Sequence, residues 1–470
     1  MRCARGPPWS SVRTLKGEVM QSIRVLFTAL LIATAFSATA VAAEDTPTFA
    51  KDVAPILFDN CVVCHREGEV APMALTSYAA VRPWARAIKD KVVSREMPPW
   101  HADPAGSLEF RNDRRLSQVQ IDTISAWVDG GAPQGNPTDL PGLPPIPAGW
   151  QIKDLGEPDA IIRMPVAEEI PASGELAMTN YYIPVPWDEA RYARALESKP
   201  GNRVVTHHSV AYIRSGLPPG TRLNEKGLAV RDESIEVDGN ASFEFAQRSV
   251  KLTGYAPGKG YKRYPAGAGR VLPPNWYFVL NQHYQPTGKP ETDRSELGLW
   301  FHDEAVDTDI NEVVASDGVS IVEGREVVAE HGQRRPVVPN IPAFVDDWKI
   351  VTMKLFPEDT TVFSLSPHAH LRGKRFTYTL VRPDGTEETL LSVPQYDFNW
   401  QTFYELTEPM VFPAGSKLVT VGYYDNSVKN RYNPSPDKEV YWAEQSWDEM
   451  FNPFFEYGVD VETPTEGGGN

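Results

Sequence analysis

The sequence predicts a multidomain protein in which a small all-α domain is followed by two antiparallel β-sandwich (jelly-roll-like) domains. With 470 residues, the chain is too long for one ordinary hydrophobic core. Before residue 133 the apolar residues recur with a helical period, whereas after residue 150 short alternating segments are separated by turn residues. We therefore expect six segments: a leader with a signal peptide (1–43), the helical domain (44–132), a Pro-rich linker (133–150), a first sandwich (151–310), a second sandwich (311–460) and a flexible tail (461–470).

The leader has the pattern of a secretory signal peptide. From Met20, which we take as the true start, the sequence MQSIRVLFTALLIATAFSATAVAA combines a basic start, an apolar stretch and a small-residue end. We expect cleavage after Ala43. An uncleaved membrane anchor is the alternative, but the apolar stretch is shorter than the ~20 residues that span a bilayer. The sequence thus predicts a soluble protein, periplasmic or otherwise exported, whose mature chain has no membrane span.

The chain is acidic, with a formal net charge of −16. Residues 1–43 hold five of the 46 Lys and Arg residues and one of the 62 Asp and Glu residues, so the mature chain would carry about −20. Nucleic acids and anionic membranes bind basic surfaces. We therefore expect neither of them as a partner.

Two helices are predicted in the helical domain. The first is indicated by apolar residues at helical spacing, namely Phe49, Val53, Ile56 and Leu57. The second begins with Ser117-x-x-Gln120, the pattern of a capping box, and ends at Gly130-Gly131. Its buried face is predicted to consist of Ile121, Ile124, Trp127 and Val128.

Between these helices lies Cys61-Val62-Val63-Cys64-His65. Two thiols at this spacing reach the two vinyl groups of a haem, and the following histidine ligates the iron. A zinc site would need two more ligands nearby, and a dithiol redox motif would need a thioredoxin-like βαβ pattern. We therefore predict one covalently bound haem c, held by Cys61, Cys64 and His65. The module resembles class I cytochromes c.

Met97, in the sequence REMPPWH, is the candidate for the second axial ligand of the haem. A thioether ligand raises the potential of the iron, and the prolines that follow restrict the backbone that presents it. His101 is an alternative and Met73 a weaker one. With Cys3 in the leader and Cys61 and Cys64 bonded to haem, the mature chain would have neither a disulfide nor a free thiol.

Beyond the helical domain, the linker from Pro133 to Trp150 contains six prolines, which favour an extended, semi-rigid spacer. The pattern then becomes that of β-strands. Examples are the alternating apolar sets Trp276, Phe278, Leu280 and Phe376, Tyr378, Leu380, the second followed by the turn Pro383-Asp384-Gly385. Two such stretches suggest two antiparallel sandwiches. Residues 305–345 lack a sustained apolar period, so the division is expected there.

Histidine is concentrated in three short motifs of the β region. Of nine histidines, five lie in VVTHHSVAYI (His207, His208), NQHYQPTG (His283) and SPHAHLRGK (His368, His370), and Met450 lies in SWDEMFN. On a β-strand, residues separated by two project from one face, as in HxH. Adjacent residues point to opposite faces, so both histidines of HH can bind one ion only if a bulge re-aims one ring. Histidine sites suit zinc or copper, whereas a thioether with two imidazoles favours reduced copper.

The order HH, HY, HxH and DEM resembles the copper type II, ascorbate-dependent monooxygenases, the family of dopamine β-monooxygenase and peptidylglycine α-hydroxylating monooxygenase. The resemblance covers residues 155–460, and the motifs PHAHLRGKRF, YDFNWQTFYEL, VFPAGSKLVTVGYYDNS and SWDEMFNPF are similar to those of a bacterial branch. This chain differs from the eukaryotic members in two features. Those members are braced by disulfides, which the mature chain would lack, and they have no fused cytochrome c. The residues that recognise their substrates have no clear counterpart here.

The resemblance implies two copper ions. One would transfer electrons and would be bound by His207, His208 and His283; the other would bind O2 at the catalytic residues His368, His370 and Met450. The expected activity is monooxygenation, in which a C–H bond of a small organic substrate is hydroxylated with O2. Electrons would come from an ascorbate-like reductant or a soluble electron-carrier protein. We infer that the fused cytochrome c delivers them. The alternatives are a non-hydroxylating copper/haem electron-transfer or copper-binding protein, and a copper oxidase.

Overall fold

The computed structural model describes residues 46–69, 71–144, 149–174, 176–235, 249–255, 260–328, 340–441, 443 and 445–461. The predicted signal peptide and almost all of the predicted tail lie outside these residues. The described residues from Pro47 onward belong to one compact unit. Among the described residues, no helix combines the length and the apolar character needed to cross a membrane.

The helices of the described chain all precede the strands. They are α1 (Ala54–Asn60), α2 (Tyr78–Val81), α3 (Ala85–Val93) and α4 (Gln118–Asp129), with a π-helical turn at Phe49–Val53 and 3₁₀ turns at Arg82–Trp84 and Pro137–Asp139. The capping box predicted for α4 is confirmed. The N–H of Gln120 donates to Ser117 Oγ at 3.2 Å, and the N–H of Ser117 donates to Gln120 Oε1 at 2.8 Å.

The helices enclose a hydrophobic core of their own. Trp127 is fully buried in it and packs against Phe49, with the rings tilted and their centroids 6.2 Å apart. Its indole N–H donates to the carbonyl of Pro133 at 3.0 Å. Ile121 and Ile124 are buried on the same face, as their helical spacing predicts, and Val128 packs against them partly exposed.

After residue 150 the described residues form strands joined by turns and loops, and none of them is helical. Strands β1 to β13 are Ala160–Arg163, Glu168–Ile170, Thr179–Pro184, Arg191–Lys199, Thr206–Arg214, Thr221–Leu223, Ala229–Arg231, Ser249–Tyr255, Tyr261–Arg263, Ala268–Leu272, Tyr277–Tyr284, Glu291–Asp293 and Glu296–Phe301. Strands β14 to β23 are Thr308–Val314, Val319–Val322, Arg325–Val328, Trp348–Leu355, Thr360–His368, Gly373–Val381, Glu387–Val393, Tyr404–Phe412, Lys417–Tyr424 and Asn452–Asp460.

Three large sheets build the β region. A nine-stranded sheet has the order β1-β13-β4-β10-β14-β23-β18-β21, with β9 beside β4; a four-stranded sheet has the order β3-β11-β5-β8; and a six-stranded sheet has the order β16-β15-β17-β22-β19-β20. Pairing is antiparallel except between β10 and β14, where Ala268 and Gly269 lie opposite Thr308 and Asp309. The predominance of antiparallel sheet over two buried cores fits β-sandwich architecture.

The alternation predicted for one strand of the second half is present in β19. Phe376, Tyr378 and Leu380 are buried, and the residues between them are partly exposed. This face belongs to a core between the six-stranded sheet and the strands β14, β23, β18 and β21. The core of the first half lies between the four-stranded sheet and the strands β1, β13, β4 and β10.

The segment between α3 and α4 packs on the core of the second half, between the six-stranded sheet and the strands β14, β23, β18 and β21. Trp100 and Phe110 are buried there, with ring centroids 5.0 Å and 5.3 Å from that of Tyr404. Phe110 also pairs with Leu406 in an isolated antiparallel bridge. These residues show no apolar period in the sequence, because each contact is made by a single side chain of an extended segment.

Candidate metal centre

His207 and His208 lie at the start of β5, beside His283 on β11. In the antiparallel register His208 is opposite His283, but the next pair is Thr206 with Tyr284, which leaves His207 without a partner. The bulge that the adjacent histidines required is therefore present. It brings the three rings together, since one ring nitrogen from each lies within 4.8 Å of the others.

The donor set of this first cluster fits a metal ion. Burial lowers the pKa of His207, holds the pKa of His208 well below its usual range and, with the charge of His207, lowers the pKa of His283 to about 4. The rings are therefore neutral at pH 7, with lone pairs available for a metal. Nδ1 of His207 and Nδ1 of His208 are buried without a hydrogen-bond partner. Polar atoms so placed are costly unless a ligand satisfies them.

His368 and His370 form the second cluster with Met450. His368 is the last residue of β18 and pairs with Asn452 at the start of β23. Met450 lies two residues before Asn452 and lines one cavity with both histidines. The two imidazole centroids are 5.3 Å apart. Two imidazoles and a thioether suit a soft ion such as Cu(I).

The expectation that both histidines lie within one strand is only half met, because β18 ends at His368. Beyond it, the carboxylate of Glu449 replaces a neighbouring strand as hydrogen-bond acceptor. It accepts the backbone N–H of His370, that of Arg372 at 3.0 Å and that of Met450 at 2.9 Å. Burial raises the pKa of Glu449 to about 7, although these three donors favour the ionised form.

The tautomer of His368 is set by Gln401. Nδ1 of His368 lies 2.7 Å from Gln401 Oε1, so it carries the proton and Nε2 keeps its lone pair. Burial lowers the pKa of His368 to about 4 and that of His370 to about 3. Nδ1 of His370 is buried without a hydrogen-bond partner. The second cluster therefore also offers neutral imidazoles, with Nε2 of His368 and Nδ1 of His370 available to bind a metal.

Both clusters border one cavity of about 250 Å³. His207 and His208 border it together with His368, His370 and Met450, and His283 lies opposite His208 on the neighbouring strand. Phe398 lies between the clusters, with its ring centroid 6.3 Å from His207 and 5.9 Å from His370. The structure thus brings the residues predicted as metal donors together in two clusters. Sequence reasoning did not identify Phe398, Gln401 or Glu449, although the first two lie in the motif YDFNWQTFYEL and the third in DEM.

The cavity wall also contains a buried ion pair that the sequence did not indicate. Lys251 Nζ is 3.1 Å from Glu312 and 4.0 Å from the ring centroid of Phe403. A second pair, Lys262 with Glu456, lies beside it, and Ser364 donates to Glu456 at 2.8 Å. The wall is therefore polar but balanced in charge at this point.

The cysteine motif follows α1 directly. Cys61 and Cys64 are free and partly exposed, and burial raises the pKa of both thiols, that of Cys61 to about 12. Nδ1 of His65 lies 3.2 Å from the carbonyl oxygen of Met73. This contact places the proton on Nδ1 and leaves Nε2 free for a metal, as a proximal haem ligand requires.

The candidates for the second axial ligand lie in different surroundings. Met97 is partly exposed in the turn after α3, and Met73 packs against the helical core while its carbonyl faces His65. His101 lies between two residues of the second β core, and its ring is close enough to Asp397 for that carboxylate to raise its pKa, although burial lowers it overall. The structure gives no contact between His65 and Met97.

Residues 348–462 match the family model for the C-terminal domain of the copper type II ascorbate-dependent monooxygenases. The matched segment spans β17 to β23 and contains all three residues of the second cluster. This match supports the resemblance of the chain to that monooxygenase family. It also supports copper as a cofactor and oxidoreductase chemistry, with O2, a substrate and ascorbate as the reactants that the family uses.

No curated protein matches the sequence. Among solved structures, a Paenibacillus xanthan lyase is similar over 70% of this chain and 28% of its own, with 11% identity and a TM-score of 0.16. The chain thus spans little more than a quarter of the lyase. A structure of the Gt strain of infectious bursal disease virus is similar over 64% of this chain and 70% of its own, with 7% identity and a TM-score of 0.16. Similarity at this level says nothing about function.

Proposed function

We propose that this protein is an exported copper- and haem-dependent monooxygenase that hydroxylates a C–H bond of a small organic substrate with O2. The observation that carries the proposal is the pair of metal-donor clusters on one cavity, one of three imidazoles and one of two imidazoles and a thioether. The family match to residues 348–462 supports the same chemistry for the second cluster.

His207, His208 and His283 would hold one copper ion, and His368, His370 and Met450 the other. Bound copper would supply one-electron transfer at the first site and activation of O2 at the second. The residues of the chain prepare these sites. Burial keeps the imidazoles neutral, Gln401 orients His368, and Glu449 fixes the backbone that carries His370 and Met450.

The cavity favours a small organic substrate. Its volume of about 250 Å³ is near the lower end for ligand pockets. Aromatic and amide side chains line it together, including Tyr212, Phe403, Phe454, Asn180, Asn281 and Asn452. Asn452 Oδ1 is buried without a hydrogen-bond partner, so a donor group on the substrate would satisfy it.

We further propose that Cys61, Cys64, His65 and Met97 hold a haem c that delivers electrons to the first cluster. A salt bridge supports this arrangement. Glu69, four residues after His65, lies 2.8 Å from Arg203, four residues before His207, and both side chains are largely buried. Tyr255 is buried beside this pair, with Arg203 over its ring at 5.9 Å, and it also borders the cavity. The cysteine motif therefore lies against the strands that carry the histidines.

The fused cytochrome c module and the signal peptide would place the protein in a bacterial branch of the family. In this proposal the mature chain starts at Glu44, the domains are 44–132, 151–310 and 311–460, and the chain works in the periplasm or outside the cell. An ascorbate-like reductant or a soluble carrier protein would reduce the haem. Because the chain is acidic, a carrier with a basic surface fits best.

The test is product analysis with isotopically labelled O2 and a panel of small organic substrates, using the copper- and haem-loaded protein. We expect one labelled oxygen atom in a hydroxylated product, formed by the parent protein and not by Met450→Ala. A copper oxidase would place the label only in water or hydrogen peroxide, and an electron carrier would consume no O2 with any substrate. Either result would refute the monooxygenase.

A further inference from the structure

We propose that Phe398 couples the two metal clusters, providing the packed contact through which an electron passes from the three-histidine site to the site of His368, His370 and Met450. The inference rests on the proposed function, because it presupposes copper at both sites. In the step, copper bound at the first site would lose one electron and copper bound at the second site would gain it.

The position of the Phe398 ring is the first argument. The ring lies parallel to His207 within 25°, with centroids 6.3 Å apart, and meets His370 edge to face at 5.9 Å and 80°. Its side chain is 9% exposed. One side chain therefore contacts an imidazole of each cluster, at the wall of the cavity that both clusters border.

The loop that carries Phe398 is attached to both clusters by polar contacts as well. Asn399 lies close enough to His207 of the first cluster for its side chain to raise the pKa of that ring, which burial lowers overall, and Gln401 accepts from His368 of the second cluster at 2.7 Å. Tyr396 Oη donates to the carbonyl of Ala369, between His368 and His370, at 2.7 Å and accepts the N–H of Ala369 at 3.2 Å. Four neighbouring side chains thus tie the loop to residues of both halves of the β region.

The physical consequence concerns the medium between the metals. Electron tunnelling weakens steeply with distance and is faster through atoms in contact than through a gap or water. Replacing Phe398 by alanine would remove the ring from between the histidines and leave a cavity beside polar atoms, which water can enter. Electron exchange between the sites should then slow, although neither cluster has lost a donor.

The experiment uses the full-length protein loaded with copper and haem. One electron per molecule is injected by flash reduction, and its redistribution between the two Cu(II) signals is followed by freeze-quench paramagnetic resonance, with His207→Ala and Met450→Ala assigning the signals. Copper per chain is measured on the same samples. The variants are Phe398→Ala, Phe398→Tyr, which keeps the ring, and Trp400→Leu, a control in the same loop that borders a different cavity.

We expect Phe398→Ala to keep two coppers and both signals while exchange slows by an order of magnitude or more. Phe398→Tyr and Trp400→Leu should exchange at nearly the parent rate. Parent-like exchange in Phe398→Ala, or loss of either copper from it, would overturn the coupling role and leave the proposed function intact. A parent protein that does not bind two coppers would overturn both.

Discussion

Glu449 accepts a hydrogen bond from the backbone N–H of His370, the residue that follows β18 by two positions. The same carboxylate accepts the N–H of Met450, so one buried group fixes the backbone of two proposed copper ligands. It is fully buried and also bonds to Arg372, which in turn donates to the carbonyl of Trp447 at 2.9 Å. The second cluster therefore depends on a residue that offers no atom to the metal.

Replacing Glu449 by glutamine tests this support. The amide keeps the shape but has one acceptor oxygen for three N–H donors, so at least one buried donor loses its partner. We expect unfolding free energy to fall by about 1–3 kcal/mol in the metal-free protein, the usual cost of a buried unsatisfied donor. Denaturant unfolding measures it, with the exposed Glu408→Gln as the matched control. Equal stability of Glu449→Gln and the parent would show that the hydrogen bonds are dispensable.

Met450→Ala should lower hydroxylation far more than it lowers total copper. Two imidazoles and solvent can still hold Cu(II), whereas the soft donor that favours Cu(I) is gone. Copper analysis and product formation are measured together. Met410→Ala, which changes a methionine of the neighbouring core outside the cavity, should keep both properties near the parent values. Parent-like turnover of Met450→Ala would remove Met450 from the site.

Gln401→Leu should lower the affinity of the second site for copper by roughly 10–100-fold. This is the range found when an outer hydrogen-bond partner of a ligating histidine is removed. The reason is that Nδ1 of His368 loses its acceptor at 2.7 Å and the ring is no longer held in one tautomer. Competitive copper titration separates the two sites, and the first site should be unchanged. Gln401→Glu retains an acceptor and should bind close to normally. If Gln401→Leu binds copper like the parent, the orienting role is wrong.

The haem module predicts a spectroscopic result. With His65 and Met97 as axial ligands, the ferric protein should show the weak near-infrared absorption of methionine ligation, and Met97→Ala should abolish it while the haem stays covalently attached. Met73→Ala and His101→Ala are the controls and should keep the band. Its absence from the parent protein, or its survival in Met97→Ala, would point to another ligand.

The salt bridge between Glu69 and Arg203 predicts an effect on electron delivery. Arg203→Gln should leave haem and copper contents unchanged but slow the oxidation of reduced haem by the copper sites. The reason is that the segment after the cysteine motif and the segment before β5 lose a largely buried contact at 2.8 Å. Arg222→Gln, which breaks an exposed bridge to Asp232, is the matched control. Stopped-flow absorbance of the haem measures the rate. An unchanged rate would mean that delivery does not use this contact.

Local patterns were sufficient for several of these features. The capping box of α4 and most of its buried face were predictable, because each depends on residues within a few positions of one another. The bulge at His207 was only a condition for both adjacent histidines to bind one ion, since it arises between β5 and the distant strand β11. The candidate donors were inferred from the short motifs HH and HxH together with the family resemblance, which implied that His283 and Met450 belong with them.

Other features depend on contacts between distant residues and left no local signal. The parallel pairing of β10 with β14 extends one sheet through both halves, and it involves only two residues of each strand. The packing of Trp100 on Tyr404 is made by an extended segment without periodicity. The end of β18 at His368 follows from a carboxylate 79 residues after His370. In the sequence, nothing distinguishes Phe398 from the other aromatic residues of its motif.

Anomalous diffraction from crystals of the copper-loaded protein tests the two-site arrangement most directly. Data collected on both sides of the copper absorption edge should show two copper peaks per chain. One should lie among the rings of His207, His208 and His283, and the other beside His368, His370 and the sulfur of Met450. A single peak, or peaks that follow the zinc edge in protein supplied with copper, would contradict the assignment.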